Sequence, residues 1–110
     1  MELNPQIEIT ITDKQTNYVW VQGILESYIF EAKVYCTGSK YGIDEGRVSK
    51  FSVWMKPDER GRKRWVANYD RDWDVYPKDE HWPFVCHIIG LLEEMPQPEE
   101  VTAGMCFPFD

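Results

Sequence analysis

A chain of 110 residues has room for one domain and no second core. Apolar residues at 43% and aromatics at 15% exclude a disordered polymer, and no uninterrupted apolar run reaches the roughly 18 residues of a spanning helix. With 12 Lys and Arg against 19 Asp and Glu, the net charge of −7 argues against non-specific binding to nucleic acid or anionic membrane.

Residues 1–5, Met-Glu-Leu-Asn-Pro, lack the basic-then-apolar layout of a secretion signal, so a cytoplasmic protein is expected. Residues 7–12, Ile-Glu-Ile-Thr-Ile-Thr, alternate strictly and predict a half-buried strand. Residues 18–25 carry Tyr18, Val19, Trp20 and Val21 and predict a second strand, with Gly23 as a bulge or a point of close approach. Glu26 and Ser27 then make a short hairpin connection into 28–36. There Tyr28, Phe30, Ala32, Val34 and Cys36 share one face, and Glu31, Lys33 and Tyr35 the other. A turn-rich stretch from Thr37 to Gly46 follows. Residues 47–56 predict a fourth strand, with Phe51, Val53 and Met55 inward and Lys50, Ser52, Trp54 and Lys56 outward. Pro57 to Gly61 is turn chemistry, and 63–69 predicts a fifth strand.

Beyond a loop at 70–77 the period changes. Trp82, Val85, Ile89 and Leu92, widened by Ile88 and Leu91, make a helical stripe. Asp79 and Glu80 suit its start, Pro83 is tolerable only in the first turn, and Pro96 and Pro98 end it. The predicted fold is α+β: a curled, antiparallel five-stranded β-meander packed on one C-terminal α-helix. Residues 1–95 are expected to form this single domain, with 96–110 a proline-containing tail docked on it. One helix covers only part of such a sheet, leaving outward aromatics such as Tyr35 and Trp54 in search of a partner.

Three cysteines, Cys36, Cys86 and Cys106, form no CxxC pair and read as reduced thiols acting as small buried hydrophobes. His81, Cys86 and His87 lack zinc-ligand spacing, and neither a metal nor a cofactor is expected. Asp70-Arg71-Asp72-Trp73-Asp74 opens like a calcium loop, but Val75 and His81 stand where glycine and glutamate are required. The sequence contains no nucleophile elbow, Walker loop or dinucleotide fingerprint, so no catalytic residue is assigned.

Charge is unevenly spread. Residues 1–46 hold three basic and seven acidic groups, net −4; 47–65 hold seven and two, net +5; 66–110 hold two and ten, net −8. The basic stretch interleaves Phe51, Trp54 and Trp65, as single-strand binders do, yet the surrounding acidity opposes a polyanion.

Three phrases carry a resemblance. Tyr28-Ile-Phe-Glu-Ala-Lys-Val-Tyr35, Tyr41-Gly-Ile-Asp-Glu-Gly-Arg-Val-Ser-Lys50, and Ala67-Asn-Tyr-Asp-Arg-Asp-Trp-Asp-Val75 with Pro77 resemble a small family of uncharacterised bacterial proteins, a domain of unknown function. The resemblance covers roughly residues 20–92 and implies a setting in Gram-positive bacteria, their phages and mobile elements. It brings no reaction, and Asp72 stands where the family's pattern has glycine.

The resulting expectation is a small acidic, non-enzymatic binding or accessory protein acting by protein–protein contact, with a host defence nuclease or nucleic-acid-binding protein as a target. A nucleic-acid-binding module using the 47–65 hairpin and a small hydrolase using Asp70–Asp74 are the alternatives. The candidate partner surface comprises Tyr35, Trp54, Arg47, Asp70, Arg71, Asp72 and Asp74. Homodimerisation through the uncovered sheet face fits any of these readings; a membrane partner is not expected. A lock pairing Arg47 or Arg71 with Asp70 or Asp74 is expected to fasten the glycine-rich loop to the sheet.

Overall fold

The computed structural model describes residues 7–109, the last two by backbone alone; the stretch read for a secretion signal lies outside them. The five expected strands form as β1 (Ile7–Lys14), β2 (Tyr18–Leu25), β3 (Tyr28–Tyr35), β4 (Val48–Met55) and β5 (Arg64–Asp70). Each meets its predecessor antiparallel, and the connections after β1, β2 and β4 are too short for a crossover. Among the described residues the sheet has seven strands rather than five, in the order β6-β5-β4-β3-β2-β1-β7. β6 (Trp73–Val75) folds back on β5 through a turn in which Arg71 is left-handed, φ 64°, and it is too short to show a period. β7 (Cys106–Phe109) pairs antiparallel with β1. Its Pro108 hides the strand signal, since proline is compatible with a sheet only at an edge. Both added strands cap an edge that would otherwise expose unpaired backbone.

Alternation assigns the faces. Ile7, Ile9, Ile11, Val19, Val21, Phe30, Ala32, Val34, Phe51 and Val53 are at most 1% exposed and form the inner face. Register shifts between β1 and β2, β3 and β4, and β4 and β5 insert extra residues and curl the sheet around that face. One such shift explains why Val48 and Ser49 are both buried. Gly23 marks a close approach: a Cβ there would sit 2.3 Å from the Phe30 ring and 2.8 Å from the Glu8 carbonyl.

The helix α1 (Trp82–Glu93) lies on the inner face and buries Val85, Ile88 and Leu92 completely. Burial of each such side chain stabilises by about 1.5–3 kcal/mol. Pro83 is accommodated in the first turn, where its missing N–H has no intrahelical partner to lose. Asp79 and Glu80 precede the cap residue, His81, instead of lying in the first turn. A cluster of aromatics ties β5, β6 and α1 together, with Trp73 in edge contact with Tyr69, Tyr76 and Trp82 at 5.1–5.8 Å.

The cysteines depart from expectation. Cys86 and Cys106 are exposed and Cys36 is intermediate, and all three are free thiols. Cys86 falls between the helix positions that face the core, and Cys106 occupies an edge strand. Small size alone did not bury them.

Candidate functional site

The face opposite the helix is built from the alternate positions of β2 to β5. Cross-strand register brings Tyr18 opposite Tyr35, Trp20 opposite Lys33, Lys33 opposite Lys50, and Lys50 opposite Asp70. At this corner the Tyr18 and Tyr35 rings lie 5.4 Å apart, and the Lys33 ammonium sits 4.1 Å from the first centroid and 5.0 Å from the second. An open groove of about 480 Å³ is lined here by Lys33, Tyr35, Lys50 and Arg71, with the hydroxyl residues Thr37, Ser39, Tyr41 and Ser49 around them.

The diagonal corner repeats the chemistry. Trp54 and Trp65 are 5.7 Å apart, and the Lys63 ammonium sits 4.5 and 5.0 Å from their centroids. Trp65 is 52% exposed. Between the corners runs a polar row across the strands: the Gln22 amide donates to Glu31 at 3.0 Å, and the Ser52 hydroxyl to Asn68 at 2.9 Å. Period two identified Tyr35 and Trp54 as outward. It also put Lys33 on the face of Tyr35, but it did not identify Tyr18, Lys63 and Trp65 as their companions, because cross-strand neighbours depend on register, which a single strand does not encode.

The expected lock forms with a different partner. Arg47 reaches neither Asp70 nor Asp74; its guanidinium donates to the carbonyls of Tyr35 at 2.7 Å, Glu93 at 2.9 Å and Met95 at 2.6 Å, and to that of Pro96 at 3.4 Å. In return the Glu93 carboxylate accepts the Arg47 and Val48 backbone N–H groups at 2.9 and 3.1 Å. A cation thus satisfies carbonyls left open at the end of α1, where the dipole favours it. The glycines of the same loop are steric necessities. A Cβ on Gly46 would lie 2.5 Å from the Glu93 carboxylate, and one on Gly42 would lie 1.8 Å from the Gly46 carbonyl oxygen. Ile43 plugs the core beneath them, 6% exposed. The loop phrase is therefore a docking device between sheet and helix.

Arg71 contacts Asp70 at 3.9 Å with both side chains exposed, a pairing worth about 0–1 kcal/mol in water. Asp72 accepts the Trp73 N–H at 2.8 Å, and Asp74 is exposed on the edge strand β6. The left-handed residue of this turn is Arg71, so an aspartate is free to stand at 72. Among the described residues no three of His, Cys, Asp and Glu converge on a point that could hold a metal ion.

Two buried phenols are perturbed. Burial pushes Tyr69 above its ordinary 10.0, with the charges of Asp72 and Asp44 adding to the effect; its hydroxyl donates to the Tyr41 carbonyl at 2.9 Å. Burial likewise raises Tyr28, with Glu80 and Glu26 adding, and its hydroxyl lies 2.8 Å from His81 Nδ1. At the tip of the β4–β5 hairpin the Arg62 N–H, together with the Arg60 N–H and the Arg62 guanidinium, holds the Asp58 carboxyl below its usual range.

The geometry defines a small α+β domain with one helix on the concave side of an antiparallel sheet and a cationic, aromatic face on the other. Residues 19–92 match the family described as a domain of unknown function (DUF7678), and the chain belongs to that family. No curated protein and no solved structure matches it. Among the described residues no helix is long and apolar enough to cross a membrane.

Proposed function

We propose that this chain is a binding protein of a phage or mobile-element setting, acting by contact with another macromolecule through the sheet face that its helix leaves uncovered. The observation carrying this reading is that Tyr18, Trp20, Tyr35, Trp54 and Trp65 all lie on that one face. Large aromatics concentrated at a surface supply contact area at low entropic cost, and patches of this kind mark interaction sites. To bind the nuclease or nucleic-acid-binding protein expected from the sequence, clustered carboxylates at 70–80 and 93–100 would have to occupy a surface built for phosphates, and the geometry gives that version less support. Glu93 is engaged with the Arg47 loop, and Glu100 accepts the Gln97 N–H at 3.2 Å within a helical cap.

Photo-crosslinking in host cells tests the reading. A photoreactive residue replacing Trp65 is expected to give adducts, and one replacing His87 on the exposed side of the helix to give few. Equal yields at the two positions, or none at either, would overturn it. An adduct of twice the chain mass identifies the partner as a second copy.

A further inference from the structure

Resting on that reading of the sheet face, we propose that its occupant is a single-stranded nucleic acid, with bases stacking at the Tyr18–Tyr35 and Trp54–Trp65 corners and phosphates held by Lys33, Lys50 and Lys63. Single-strand binders need two elements together: flat side chains on which unpaired bases stack, and cations that track the backbone between them. Both corners supply the pair. Lys33 lies 4.1 Å from the Tyr18 ring, and Lys63 lies 4.5 Å from that of Trp54. A base displacing either ammonium from its ring leaves the charge beside the phosphate that follows.

The spacing fits. The Tyr35 and Trp54 rows stand six residues apart along β3, about 20 Å at the rise of a strand. Two strand separations, about 10 Å, divide the middle of the β2–β3 pair from that of the β4–β5 pair, so the corners are on the order of 20 Å apart. That diagonal accommodates the small end of known site sizes, roughly 4 nucleotides. Lys50 and Arg71, in the groove, give the backbone a cationic start. The polar row of Gln22, Glu31, Ser52 and Asn68 lies beneath the middle of the path, with donors and acceptors for base edges. A duplex is a poorer fit, since its bases are stacked already and this outer sheet face presents no helix to a major groove.

The net charge of −7 does not preclude this arrangement, because the fold sorts charge by side. Asp79, Glu80, Glu93 and Glu94 flank the two ends of α1, on the inner side of the sheet. Layer packing sets such groups about 10 Å or more from the outer face, a full Debye length at physiological salt. Asp70, opposite Lys50, Asp13, opposite Trp20, and Glu31 are carboxylates that stay beside the path, and their repulsion is set against Lys33, Lys50, Lys63 and Arg71.

The test is fluorescence anisotropy of labelled oligothymidylate and of a mixed-sequence RNA, each about 12 nucleotides long, in about 50 mM salt, with tryptophan emission followed in parallel. Saturable binding with quenched tryptophan is expected, and a log–log salt slope of about −2 for three phosphates on a single strand. Lys33→Glu and Lys50→Glu should each weaken binding about 10-fold and flatten the slope. Trp65→Ser should weaken it about 10-fold and remove much of the quench, whereas Lys78→Glu, before the helix, should leave both intact. Melting curves of each variant verify the fold. Absence of binding to either oligonucleotide, variants that bind like the parent, or equal affinity for a duplex of the same length would overturn the inference. Crosslinked adducts at position 65 that resist nuclease and yield to protease would likewise overturn it while sparing the binding-face reading; no adduct at all removes both.

Discussion

Arg47→Met removes a cation and keeps most of the side-chain bulk, so it isolates the fastening of loop 36–47 to the helix end. Four carbonyl oxygens lose their donor, at 2.6, 2.7, 2.9 and 3.4 Å in the parent. A hydrogen bond from a charged group contributes roughly 1.5–3 kcal/mol, but the four share one guanidinium and sit partly in reach of water. Counting the two shortest in full and the others as rehydrated gives a loss of about 3 kcal/mol. At about 4 °C per kcal/mol for a domain of this size, the melting midpoint should fall by about 12 °C. Calorimetry at neutral pH measures it directly. Glu93→Gln should cost less, about 1–2 kcal/mol, since an amide oxygen still accepts the loop N–H groups. The double variant should fall short of additivity, because both side chains hold the same junction. Asp70→Asn, whose exposed contact with Arg71 contributes about 0–1 kcal/mol, should move the midpoint by about 4 °C or less. A drop under about 4 °C for Arg47→Met, no more than an exposed ion pair yields, or strict additivity with Glu93→Gln, would refute the clamp.

Two further outcomes follow from local geometry. Glu26 holds φ 54° in the β2–β3 hairpin, a left-handed conformation that disfavours residues with a Cβ by about 1–2 kcal/mol. Glu26→Gly should therefore raise the midpoint by a few degrees despite the entropy of glycine, on the order of 4 °C by calorimetry, and a fall would contradict the strain argument. At alkaline pH, Tyr28 and Tyr69 have folded pKa values raised above 10.0, so they bind protons more tightly folded than unfolded. Their contribution is fully present below pH 10.0 and is lost as pH rises through the folded values. Unfolding midpoints measured upward from pH 9 should decline, and Tyr69→Phe should flatten the decline; a steeper decline in that variant would reverse the sign.

The helix and the five long strands were legible in the residues because their signals are local. Ile7 to Ile11 and Tyr28 to Tyr35 alternate with period two, and Val85, Ile88 and Leu92 recur with helical period, so each segment states which face seeks burial. What the sequence could not supply was everything set between distant segments. β6 has three residues and β7 carries a proline, so both exist only because a neighbouring edge offers backbone partners. Arg47 found Glu93, 46 positions away, and not the nearer aspartates, because the loop descends toward the end of the helix instead of the β5–β6 turn. The charge blocks along the chain suggested an acidic body opposing a basic hairpin. Folding placed the acids flanking the helix on one side of the sheet, and Lys33, Lys50 and Lys63 on the other, beside rings from different strands. Periodicity determines which side of its own element a residue occupies; which residues from other elements share that side is fixed by register and closure, and those are properties of the assembled sheet.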